Sequence, residues 1–195
     1  MVPGAGRRSD RRAVLALLAA TGLAACVGAV RGHAPPPEPD GYPGPYRLRI
    51  AIFEAAGLAL PFHAGMLIDA PEGRVLYDPA GYWQSDRCAR SGDVHYPIDD
   101  AAAAAWLDRG GLEVLGGRWV LHLFETDVPG TVASRARALA LGTPAMPAGA
   151  CAWSVARLLS QLPGFEGIAP HLVTDLLLDQ LRARPDLRYT RQVLD

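Results

Sequence analysis

Residues 62–78, FHAGMLIDAPEGRVLYD, constrain the fold of this chain more than any other stretch. Met66, Ile68, Val75 and Tyr77 recur at every second position on either side of Pro71-Glu72-Gly73, and period two is the mark of a strand with one face on a core. Proline and then glycine stand between the two runs, where a tight turn needs them, so the stretch predicts a β-hairpin. His63 falls where the first strand begins and Asp78 where the second ends. A strand is stiff, so a histidine held on one can be aimed. The sequence offers it a target in Cys151, far along the chain at the head of an amphipathic run.

The neighbouring segments extend the same pattern. Residues 46–53 alternate arginine with Leu48, Ile50 and Ile52 and predict a first strand, and 54–60 form a short connection with room for one helical turn. After Asp78, Pro79-Ala80-Gly81-Tyr82-Trp83 turns sharply, and a polar loop runs on to Asp93-Val94-His95-Tyr96-Pro97. Asp99 or Asp100 can cap a helix over 101–109, ended by Gly110-Gly111. Two adjacent carboxylates also suit acid–base work, but beside five alanines an N-cap is the simpler reading. Alternating runs at 112–115 and 118–125 around Gly116-Gly117 predict a second hairpin, with His122 read as a satisfied sheet residue. Helical spacing marks 130–141, the run from Cys151 to Pro163, and 170–182. With 195 residues, 50% of them hydrophobic, the chain can bury one core. The expected fold is a single α+β domain over 46–195, an antiparallel β-sheet packed with helices.

The N-terminal residues read as an address. Arg7, Arg8, Arg11 and Arg12 precede an apolar run, 13–25, too short to span a bilayer comfortably, and Leu23-Ala24-Ala25-Cys26 closes it. That tetrapeptide resembles a bacterial lipobox, which implies a lipoprotein signal peptide over 1–25, lipid modification (palmitate or a similar acyl chain) at Cys26, and a periplasmic, membrane-anchored protein. Asp10-Arg11-Arg12-Ala13-Val14-Leu15 also resembles a twin-arginine export signal, with aspartate where serine or threonine is usual. An ordinary secretory peptide is the competing reading. Removing 1–25 takes away four arginines and one aspartate and moves the formal charge from −1 to −4. Residues 26–45, with prolines at 35, 36, 37, 39, 43 and 45, predict a semi-extended tether, and His33 inside it is given no role. The charge gives no reason to expect a nucleic-acid partner.

Chemistry concentrates at Cys151. In the first turn of a helix, unpaired N–H groups and the positive end of the dipole favour a thiolate, which is the nucleophile. His63 is the expected base, with Asp78 or another acceptor orienting it; the chain contains no asparagine, so a Cys-His-Asn arrangement is excluded. His95 is the alternative base or a substrate-binding group. Tyr82 and Trp83, in the loop it shares, are candidates for substrate contact, although Trp83 and Trp153 also read as packing. A Cys88–Cys151 disulfide competes with the nucleophile reading, because with Cys26 lipidated two thiols remain in an oxidising compartment. Neither Cys-x-x-Cys nor His-x-x-x-His occurs, so no metal is expected, and no phosphate loop or dinucleotide fingerprint calls for a cofactor.

The order of these parts, His63-Ala64-Gly65 opening a strand, a following strand, and later Cys151 opening a helix, resembles the circularly permuted branch of the papain-like superfamily. That branch is related to the NlpC-type cell-wall amidases and includes lecithin retinol acyltransferase. His-x-Gly followed by alternating apolar residues matches at His63, Gly65, Met66 and Ile68; the helix-opening cysteine matches at Cys151, Val155 and Leu158. The likeness spans residues 47–165. It implies a permuted papain-like fold, a thiol-protease-like site, and a polar third residue on the strand after the histidine strand. Asp78 is the nearest fit there, where some members carry histidine. The resemblance and the address together imply an amide or ester hydrolase, or an acyltransferase, with cell-wall peptide or lipid acyl groups as substrates. The alternative is a catalytically silent envelope lipoprotein that binds a ligand or scaffolds.

Overall fold

The computed structural model describes residues 41–194 apart from 58–59, 82, 110–111 and 113–116. Cys26 with the signal segment, Tyr82 and most of the 112–115 run lie outside the described residues. Seven strands make one antiparallel sheet: β1 (Arg47–Ala55), β2 (Leu60–Ala70), β3 (Gly73–Tyr77), β4 (Ala89–Ser91), β5 (Val94–Tyr96), β6 (Trp119–Asp127) and β7 (Arg188–Leu194). Their order across the sheet is β4-β5-β3-β2-β1-β6-β7. Four helices are described: α1 (Asp100–Arg109), α2 (Gly130–Leu141), α3 (Cys151–Leu159) and α4 (Thr174–Arg182). The fold is α+β, an antiparallel sheet packed with helices, as the sequence predicts. Among the described residues no helix is long and apolar enough to cross a membrane.

The hairpin read from residues 62–78 is the centre of the sheet. β2 and β3 meet at Ala70 opposite Gly73, leaving Pro71-Glu72 as a two-residue turn. Met66, Ile68, Val75 and Tyr77 all point to one face, where they join Leu48, Ile50 and Ile52 of β1 and the apolar sides of α2, α3 and α4. Leu67 and Leu76 point to the other, with Phe53, Trp83 and the α1 residues Ala102, Ala103 and Trp106. Both faces of β1 and β2 are therefore covered. Each fully buried leucine, isoleucine or phenylalanine contributes about 1.5–3 kcal/mol, so these two strands anchor the domain.

Three sequence expectations are corrected. β6 is paired along both edges, to β1 and to β7, so no edge is left for a hairpin with 112–115. The loop between Trp83 and Pro97 contains a small hairpin, β4 with β5, which adds two strands beyond β3. β7 was absent from the sequence reading because an edge strand exposed at six of its seven residues carries little alternation. The helical elements hold closely. Asp99 caps α1, its Oδ1 accepting the Ala102 N–H at 2.7 Å, while Asp100 pairs with Arg74 at 2.6 Å, so the carboxylate pair is structural. At the end of the expected tether, Tyr42 is tied to the domain through its N–H to the Pro71 carbonyl at 3.0 Å.

Candidate active site

β3 is shorter than the strand it pairs with, and this difference makes the site. Its ladder with β2 ends at Met66 opposite Tyr77, so the earlier half of β2 has no partner on that side. α3 brings its first turn to the vacated edge. The Cys151 Sγ lies 3.9 Å from the Phe62 carbonyl, and the Ala64 and Ala152 N–H groups are near enough to favour its thiolate. No side-chain hydrogen bond caps α3, so the N–H groups of its first turn are left for an anion at this end of the helix.

His63 belongs to the same piece of β2 but projects to the α1 face, where Phe53 stacks on it with ring centroids 6.2 Å apart. Its Nε2 is 2.7 Å from Asp78 Oδ1, and the same oxygen accepts the Trp106 indole N–H at 3.2 Å. Nδ1 is the ring nitrogen left over, and the imidazole and the Cys151 thiol lie close enough for each to shift the other's pKa. Gly65 makes this possible: a Cβ there would lie 2.7 Å from the Trp106 ring, so only glycine lets the indole cross β2 to reach the carboxylate. The glycine of the His-x-Gly motif thus has a packing cause.

Electrostatics couple the pair. Burial alone pushes the His63 imidazolium down, but the Asp78 carboxylate and then the Cys151 thiolate outweigh it and hold its pKa well above the ordinary histidine value. Burial pushes the Cys151 thiol up, and the His63 hydrogen bond and charge, helped by the Ala64 and Ala152 N–H groups, bring it below the ordinary thiol value. Both shifts favour imidazolium with thiolate over the neutral pair.

The acid sits on a strained turn. The Gly81 N–H closes onto the Asp78 carbonyl at 3.0 Å, and Ala80 occupies the left-handed region at φ 55°, where glycine or asparagine is preferred. Gly81 itself could carry no side chain, since a Cβ would fall 1.8 Å from Asp78 Oδ2. That oxygen is buried with no hydrogen-bond partner.

The other predicted residues fall elsewhere. Cys88 and Cys151 are both free thiols, so the competing disulfide is not formed. His95 is buried on β5, edge-on to Trp83 at 5.1 Å, on the Asp78 side of the sheet; its Nε2 has no partner, and burial pushes its pKa down to about 4. Neither His95 nor Trp83 is an exposed platform. His122 is fully hydrogen-bonded between Glu54 and Tyr189, as expected for a sheet residue. Among the described residues no cluster could hold a metal ion. A cleft near Tyr42, Arg74 and Arg87 lies at the far end of β2, and its arginines are neutralised by Asp69, Asp99 and Asp100. Trp106, Ala64 and Ala152 complete the site without having been singled out in the sequence; a lone tryptophan in an alanine-rich helix was the one signal available for Trp106. Compared with known protein families, curated proteins and solved structures, the chain matches none.

Proposed function

We propose that this chain is a cysteine-dependent acyl-transfer enzyme, an amide or ester hydrolase or an acyltransferase of permuted papain-like type. The observation that carries the reading is His63 held between Asp78 and Cys151, with the sulfur at an uncapped helix start. The thiolate attacks the substrate carbonyl carbon, and the Cys151 N–H with a neighbouring donor steadies the oxyanion. His63 then gives its proton from the cysteine-facing nitrogen to the leaving amine or alcohol, forming a thioester. Water or a second alcohol or amine, deprotonated by the same nitrogen, releases the acyl group and restores the thiolate. Asp78 and Trp106 keep the ring in one orientation throughout.

In this reading Cys26 carries a lipid anchor, and the envelope placement favours cell-wall peptide or lipid acyl substrates. Incorporation of labelled fatty acid, lost in Cys26→Ala, tests the anchor. The second reading, a silent lipoprotein that binds or scaffolds, draws on the burial of the couple, since His63 and Cys151 are only 3% and 4% exposed. A small thiol-reactive probe at neutral pH separates the two. Labelling of native protein that vanishes in Cys151→Ala and weakens in His63→Ala supports the enzyme. Labelling of Cys151 only after denaturation supports the silent protein.

A further inference from the structure

The nucleophile and the acid reach the site on separate segments, 143–150 and 78–81, with no common strand or helix. One buried carboxylate joins them. Asp93, at the tip of the β4–β5 hairpin and 2% exposed, accepts the Ala80 N–H at 3.3 Å and the Met146 N–H at 2.7 Å on the same Oδ2. Its Oδ1 takes Arg90 at 3.3 Å, and its backbone carbonyl takes the Asp78 N–H at 2.8 Å. A second strut runs parallel to it. The Tyr77 hydroxyl, on the residue before Asp78, bonds to Ser154 of α3.

We propose that Asp93 is a positioning residue of the site, setting the distance from the Asp78–His63 pair to Cys151; this rests on the cysteine-hydrolase reading above. The carboxylate acts in two directions. Through Ala80 it holds the left-handed turn that aims Asp78, a conformation alanine would leave if released. Through Met146 it fixes the lead into α3 and hence the depth of the sulfur at the β2 edge. Removing it frees two half-buried N–H groups at once, and water reaches both most easily if the segments move apart.

The test measures iodoacetamide alkylation of Cys151 against pH in full-length protein carrying Cys88→Ser, so that one described thiol reacts. The parent is compared with Asp93→Ala and Asp93→Asn, the latter retaining one oxygen for the Ala80 and Met146 N–H groups. Asp93→Ala is expected to react roughly ten- to a hundredfold more slowly at neutral pH, the scale of about 1 Å of misplacement. Its inflection is expected to move up towards that of an ordinary thiol, with Asp93→Asn lying nearer the parent. An unfolded fraction reacts with the inflection of an ordinary thiol, so the comparison is made on the variant that keeps the parent's circular dichroism, and there a lowered rate with the inflection unmoved overturns the proposal. A parent and Asp93→Ala that react alike overturn it and leave the active-site reading standing. A parent whose Cys151 is inert in the native state overturns both.

Discussion

Two buried histidines, on opposite faces of the same sheet, are built from nearly the same parts and end in opposite states. His63 has a carboxylate at 2.7 Å on Nε2 and the Cys151 thiol nearby; His122 has Glu54 at 3.1 Å on Nε2 and the Tyr189 hydroxyl at 2.8 Å on Nδ1. Burial works against the charged form in both. At His63 two groups that can each carry negative charge overcome it. At His122 only Glu54 works against burial, while Arg182, with a guanidinium nitrogen 3.5 Å from Nδ1, and Arg191 reinforce it, and the pKa stays below the ordinary value. A neutral His122 donates from Nε2 to Glu54 and accepts the phenol proton at Nδ1, with both nitrogens satisfied. The comparison teaches that a carboxylate beside a histidine does not make a base. At His63 the thiolate adds to the carboxylate, and at His122 two guanidinium groups work against it.

The largest effect expected from this contrast is at the sulfur. Cys151→Ala is expected to abolish acyl transfer and His63→Ala to lower it by about 10³-fold or more, because members of such a unit fail together. Retention of activity in either variant on any ester substrate the parent cleaves would end the reading. Asp78→Asn comes next. It removes one of the charges that hold His63 protonated and is expected to slow turnover by about 10²- to 10⁴-fold while raising the pH inflection of Cys151 alkylation. An unmoved inflection would mean that the carboxylate is only structural.

His95 supplies a contrast of a third kind, a buried histidine with an unpartnered nitrogen. Its pKa is about 4 in the fold against 6.5 unfolded, so between those values the unfolded chain takes up a proton that the folded one refuses. The stability it contributes is complete above pH 6.5 and lost as pH falls to about 4, roughly 3 kcal/mol in all. Denaturant melts at pH 7, 5.5 and 4 should show a shallower acid decline for His95→Gln than for the parent; parallel curves would show that His95 is protonated in the fold. His122→Gln is expected to cost about 1–3 kcal/mol of stability and to leave Cys151 alkylation at the parental rate. Smallest of all, Arg182→Ala is expected to raise the His122 pKa, followed by the imidazole resonances in NMR. A fall instead would remove the arginines from the explanation.

Much of this was legible in the chain, for reasons that differ by element. The β2–β3 hairpin could be read because both strands alternate around a turn with the right chemistry, and α3 and α4 because their apolar spacing is strong. His63, Asp78 and Cys151 could be nominated from where they fall on those elements. Their meeting could not, since it depends on β3 ending at Tyr77 and on α3 docking at the edge left behind. Trp106 and Asp93 act through contacts that cross 28 and 53 residues of chain, and no periodicity records such contacts. The mistaken hairpin at 112–125 came from a Gly-Gly pair that fits a primed turn, a local preference overridden by the pairing of β6 on both sides.

The sulfur sits against the Phe62 carbonyl and the Ala64 N–H of a strand edge that would ordinarily bind another strand. Chemistry and architecture therefore share the same few bonds at Phe62 and Ala64, and fraying of the sheet at that point should silence the thiol before the rest of the domain lets go. In a heating experiment the loss of reactivity should precede the loss of ellipticity, which makes the reactive centre a local thermometer for its own scaffold.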